Sequence, residues 1–166
     1  MNKFSFKKTF VYFGIFLIIF LADRISKIYI LSVLENSGEV DIYINSYISL
    51  ILVWNSGIGF GLLSFDKSAI YNVITILIIL INLFILFLII RSDKIRSYLF
   101  LIILGGSVGN LFDRLYYSAV PDFIDISYKG YHWFIFNVAD IFISIGIICL
   151  ISVSYTHLTL PTNREV

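Results

Sequence analysis

The chain has 166 residues, of which 59% are hydrophobic and 14% charged, with a net charge of +1. So few charged groups cannot cover a soluble surface, where roughly a quarter of residues are charged, so a membrane protein is expected; the near-neutral balance also excludes a nucleic-acid binder with a basic field. A single cysteine, Cys149, allows no internal disulfide, and no metal-ligand spacing is present. Cys149 lies in an apolar run and is read as a small buried hydrophobe.

A membrane span takes about 20 mostly apolar residues. The first candidate runs from about Thr9 to Ile30, TFVYFGIFLIIFLADRISKIYI. It has no small-x-small cleavage site and is interrupted by Asp23, so it is expected to be retained, not removed as a signal peptide. Next comes VDIYINSYISLILVWNSG, rich in β-branched and aromatic residues with partial alternation, which predicts a strand. Trp54, Tyr43 and Tyr47 suit the aromatic belt of a membrane interface. The glycines of NSGIGFGLL permit tight backbone geometry. The second span runs from about Ala69 to Ile90, the third from about Tyr98 to Leu115, and the fourth from about Val138 to Ser154. There is no internal repeat and no low-complexity linker. The fold class expected is an all-α membrane protein of four transmembrane helices with a small extracytoplasmic β element around residues 40–62. The tail from Ser154, SYTHLTLPTNREV, is polar and reads as adapter read-through, which confines the single domain to residues 1–153.

Lys and Arg set the orientation. Lys3, Lys7 and Lys8 precede the first span, and Arg91, Lys94 and Arg96 fill the link between the second and third. Both clusters are expected in the cytoplasm, which puts both termini inside and the segments Leu31–Ser68 and Tyr116–Asn137 outside. Asp23 and Lys27 then end an outgoing helix. So do Asn110, Asp113 and Arg114, while Asn137 and Asp140 begin the incoming fourth helix. All gather at one depth near the outer interface, where an ionisable group is expensive unless paired, wet or used.

Asp23 and Lys27 stand four apart on one helix face, as a structural ion pair or as substrate contacts. Arg114 offers a rigid fork of donors for a carboxylate, a phosphate or a lipid head group. Gly105, Gly106 and Gly109 fit close helix approach. VPDFIDI supplies Asp122 and Asp125. Asp140 heads a run without charge, as an acid complementing the helix dipole or as half of a carboxylate pair. Two carboxylates a few ångströms apart do not both ionise readily, so the charged member can take a proton from water while the protonated one polarises a carbonyl. His132 and His157 lack a serine or cysteine partner and are taken as surface groups.

Five pieces then stand together: DRISK (Asp23, Lys27), NSGIGFG (Asn55 to Gly61), GGSVGNLFDR (Gly105 to Arg114), VPDFID (Val120 to Asp125) and FNVADIFISIG (Phe136 to Gly146). In this order and spacing the sequence resembles the bacterial lipoprotein signal peptidases, or signal peptidase II. The resemblance implies a four-helix aspartyl protease of the bacterial cytoplasmic (inner) membrane, with its site at the outer face and with no metal or cofactor. It would cut signal peptides from prolipoproteins just before the diacylglyceryl-modified cysteine. It places the catalytic pair on Asp122 and Asp140, and selects Asp122 over Asp125 because the acid before Phe is the family's. Asn55, Asn110, Arg114 and Asn137 match positions that contact substrate or support the acids. Asp23, Lys27, Asp113 and Gly105 match supporting positions. The partners implied are prolipoprotein substrates and membrane lipids, with a monomer expected. A small proton-coupled transporter is the alternative, since intramembrane acids also relay protons; it would favour repeats and a midplane site. A membrane scaffold would explain the glycines but leave the acids without a task.

Overall fold

The computed structural model describes residues 6–57 and 67–159. In chain order the elements are α1 (Phe6–Ser37), β1 (Asp41–Asn45), β2 (Ile48–Asn55), α2 (Lys67–Arg91), α3 (Lys94–Tyr117), β3 (Val120–Tyr128), β4 (Tyr131–Phe136) and α4 (Val138–Thr159). Three helical stretches are long and apolar enough to cross a membrane: Tyr71–Arg91, Lys94–Tyr117 and Val138–Tyr155. The fourth helix, α1, buries Asp23, Arg24 and Lys27 and turns Phe10, Phe13, Ile18, Ile25 and Ile28 outward. Apolar side chains exposed on the outward faces of the helices are expected where the surroundings are lipid tails.

The helices assemble on α3, against which α1, α2 and α4 each pack. Small residues make this possible. A Cβ added at Gly105 would meet Ile19 of α1 at 2.9 Å, and one at Gly106 would meet the Ala139 carbonyl oxygen of α4 at 2.6 Å. Gly105 therefore acts in packing α1 on α3. At Gly106 the obstacle is backbone, which cannot swing aside. Gly106→Ala is expected to cost about 1–3 kcal/mol of stability, measured by denaturant titration in detergent. Gly14→Ala, with nothing within 4 Å of the new methyl, should cost nothing.

Several expectations are corrected here. The first helix does not end near Ile30 but continues to Ser37, where Gly38 at φ 79° stops it and donates its N–H to the Leu34 carbonyl at 2.8 Å. The stretch read as one strand is a hairpin, β1–β2, whose turn is tied by Asn45 Oδ1 accepting the N–H groups of Tyr47 and Ile48 at 2.9 and 3.1 Å. The β element is also larger than expected. β3 and β4 from the second outer segment join it as an antiparallel sheet in the order β1-β2-β3-β4. Lys129 and Gly130, at φ 50° and 82°, make the two-residue β3–β4 turn, the conformation that matches strand twist. Ile58–Leu62 of the expected β element, and Leu160–Val166 of the polar tail, lie outside the described residues. The end of the domain expected at residue 153 coincides with no element boundary, since α4 runs on to Thr159. Cys149 is half-buried, not fully buried.

Candidate active site

Strand register places Asp122. It pairs with Val53 of β2, and Asn55, two residues further on, points to the same face. Asn55 Nδ2 accordingly donates to Asp122 Oδ2 at 3.0 Å. The other oxygen, Oδ1, accepts from Asn137 Nδ2 at 2.6 Å. Asp125 stands three residues along β3, an odd spacing that turns it to the opposite face of the strand. There it accepts from Ser49 Oγ at 3.1 Å and meets His132 Nδ1 at 2.7 Å. His132 is therefore not merely a surface group as expected: its side chain is 59% exposed, yet its ring is tied to a buried acid.

Asp140 is placed by a helix start. Asn137 is the N-cap of α4 and Asp140 the third helical residue. Asn137 Oδ1 accepts the Asp140 N–H at 3.2 Å, and Asp140 Oδ2 accepts the Asn137 N–H at 3.1 Å. This is a capping box, with Asn and Asp in the usual Ser/Thr and Glu positions. The next free N–H of the helix, from Ala139, is taken by Asp23 Oδ1 of α1 at 3.0 Å. Asp140 Oδ1 accepts from Asn110 Nδ2 of α3 at 2.8 Å. Asp122 and Asp140 thus share Asn137, and each of their four oxygens receives one N–H.

Behind Asn110 lies an ion cluster. Lys27 Nζ, fully buried, donates to Asn110 Oδ1 at 2.8 Å, Asp23 Oδ2 at 2.9 Å and Asp113 Oδ2 at 2.6 Å. Arg24 sits 2.6 Å from Asp113 Oδ1 and 3.5 Å from Asp23, with Phe112 against its face at 4.9 Å. Gly109 makes room for Asp23, whose Oδ2 is 2.6 Å from where a Cβ would stand. Arg24 was not singled out in the sequence, although an arginine three residues before Lys27 on a buried helix face was the available signal. Arg114 lies to one side. Its Nη2 donates to the Gly57 carbonyl at 3.2 Å, Tyr71 Oη donates to its backbone carbonyl, and Nε and Nη1 are buried without a partner among the described residues.

The structure therefore brings Asp23, Lys27, Asn55, Asn110, Asp113, Asp122, Asn137 and Asp140 into one connected network, sets Arg114 beside it, and keeps Gly105 in the helix packing. Among the described residues no group of His, Cys, Asp and Glu is suited to a metal. Burial pushes the Asp122 carboxyl above the usual aspartate range, the N–H groups of Asn55 and Asn137 oppose this, and the charge of Asp140 adds to the rise. A carboxyl raised in the folded state holds its proton better there than in the unfolded chain. Its contribution is thus complete below the unfolded value of about 3.9 and lost as pH rises through the folded value. The Asp122→Asn variant lacks that loss. Its melting temperature relative to wild type should move in the variant's favour from about pH 4 to about pH 8, and a gap that does not vary with pH would contradict the raised value.

A bundle of apolar helices of this length, carrying two aspartates bridged by one asparagine, is a membrane protein. The family model described as signal peptidase (SPase) II matches residues 15–156. The lipoprotein signal peptidase of Pelagibacter ubique (strain HTCC1062) is 50% identical over 165 residues, covering 99% of both chains. That of Anaplasma marginale (strain Florida) is 35% identical, covering 81% of this chain and 78% of its own. Two bacterial membrane enzymes solved by the in meso method share the fold. One has a TM-score of 0.77 at 22% identity with 94% of both chains covered, the other 0.71 at 25% with 98% and 99% covered. The chain belongs to the signal peptidase II family.

Proposed function

We propose that this chain is an aspartyl endopeptidase that removes signal peptides from prolipoproteins immediately before the diacylglyceryl-modified cysteine, with Asp122 and Asp140 as its catalytic pair. The observation that carries the reading is the sharing of Asn137. One residue holds both carboxylates, and fixed N–H donors aim at all four of their oxygens. The charged carboxylate takes a proton from a water that attacks the scissile carbonyl carbon. The protonated one gives its proton to the carbonyl oxygen, which spares that oxygen a full negative charge. Collapse of the tetrahedral species breaks the C–N bond, and the proton taken from water passes to the leaving nitrogen. Arg114, whose Nη2 donates to the Gly57 carbonyl two residues from Asn55, would hold a substrate carbonyl. Asn55, Asn110 and Asn137 orient the acids, and Asp23, Lys27 and Asp113 support them. No cofactor enters these steps. The family membership gives the proton-coupled transporter no support.

The arrangement proposed in the membrane is four spans, both termini in the cytoplasm, and the pair at the outer face of the bacterial inner membrane, in a monomer whose single domain spans residues 1–153. Its support is the Lys/Arg asymmetry between the two sides. Membrane-impermeant thiol labelling of intact cells tests it, in a Cys149→Ser background. Glu39→Cys should label and Lys94→Cys should not. The reverse pattern would overturn the orientation. Cleavage of a lipidated prolipoprotein peptide by the purified chain tests the activity itself.

A further inference from the structure

An amide can be turned either way in a site, and which way is decided by what its oxygen meets. Three amides touch the two acids. The oxygens of Asn55 and Asn137 are fixed by backbone N–H groups, those of Gly57 and Asp140. The oxygen of Asn110 alone is fixed by an ammonium, Lys27. A lysine has three N–H groups and no acceptor, and all three of Lys27 are engaged. Asn110 therefore cannot turn its oxygen toward Asp140, and its N–H contact there is polarised by a buried positive charge.

The charged groups around Asp140 are Asp23, Arg24 and Lys27 on α1, Asp113 and Arg114 on α3, and Asp122 on β3. Asp23 and Asp113 are matched within the cluster by Lys27 and Arg24. Asp122 and Asp140 are left to divide one charge. Two features favour Asp140 for it: the polarised amide, and its place in the first turn of α4 where the helix dipole stabilises an anion. Asp122 has only neutral amide donors and lies on a strand.

We infer that Lys27 is a positioning residue for cleavage: by locking the Asn110 amide it makes Asp140 the charged member that takes the proton from water, and leaves Asp122 the member that protonates the carbonyl. This rests on the reading of Asp122 and Asp140 as the catalytic pair.

The test is the pH profile of kcat/KM for the full chain in detergent on a lipidated prolipoprotein peptide. Its acid limb reports the base and its alkaline limb the acid. Lys27→Met alone would strand two buried acids, so Lys27→Met/Asp113→Asn is used, which removes one cation with one anion. Asn110→Leu keeps the ion cluster but removes the Asp140 donor together with the link to Lys27. Both variants should lose about 10–100-fold in rate and displace the acid limb by about 1 pH unit, with the alkaline limb in place. If the double variant does not fold, an unchanged profile in Asn110→Leu still overturns the inference. A rate loss with an unchanged profile means a structural role only and overturns the inference, as does displacement of the alkaline limb or of both. Retained cleavage by Asp122→Asn or Asp140→Asn would instead sink the catalytic pair itself, and is read separately.

Discussion

Asp122→Asn and Asp140→Asn should each reduce cleavage by at least about 1,000-fold, with helical content and elution volume unchanged. The amide keeps the size of the carboxyl and can still fill its place beside Asn137. What it loses is the ability to take up and return a proton, which the proposed mechanism asks of both acids in each turnover. Each single variant should be as inactive as the double, because a pair that shares one proton acts as a unit. Asp125→Asn is the control. Its carboxyl faces Ser49 and His132 on the other side of β3, so that variant should keep substantial activity. An inactive Asp125→Asn beside an active Asp122→Asn would mean that the pair has been assigned to the wrong acid.

The second large effect concerns the lipid. A peptide identical in sequence but lacking the diacylglyceryl group should be cut with a kcat/KM at least about 100-fold lower. Such a ratio needs about 2.7 kcal/mol, the worth of three or four CH₂ groups at about 0.8 kcal/mol each, so two acyl chains supply it many times over. In the proposed arrangement the chains would hold the scissile bond at the membrane surface and replace a search through volume by one in a plane. Paired assays in nanodiscs at matched peptide concentrations measure the ratio. Equal rates would mean that the acyl chains are not read and that the enzyme cuts membrane peptides generally.

Much of the fold was legible because lipid leaves a chain few options. Long apolar runs become helices, and α2, α3 and α4 fall where the runs lie. The end of α1 was not legible from span length, because its last turns are amphipathic and only Gly38 marks the stop. β3 and β4 were missed although their signal is present: SYKGYHWF holds a two-residue Lys-Gly turn between alternating segments. The polar residues stood out because each is costly in an apolar chain, and the structure gathers eight of them. Arg24 was overlooked between two more conspicuous neighbours. The contact of His132 with Asp125 depends on register across the irregularity between Ile126 and Ser127, which no local pattern discloses.

The cap of α4 comes partly from far away. Its Ala139 N–H is satisfied by Asp23, and Asp140 by Asn110, so the first helix to be synthesised finishes the start of the last. Until α4 docks, Asp23 has no helix end to accept from and Asp122 has no Asn137. On the proposed reading of Asp122 and Asp140 as the pair, a chain whose α4 has not docked lacks the Asn137 bridge between them and should cut nothing.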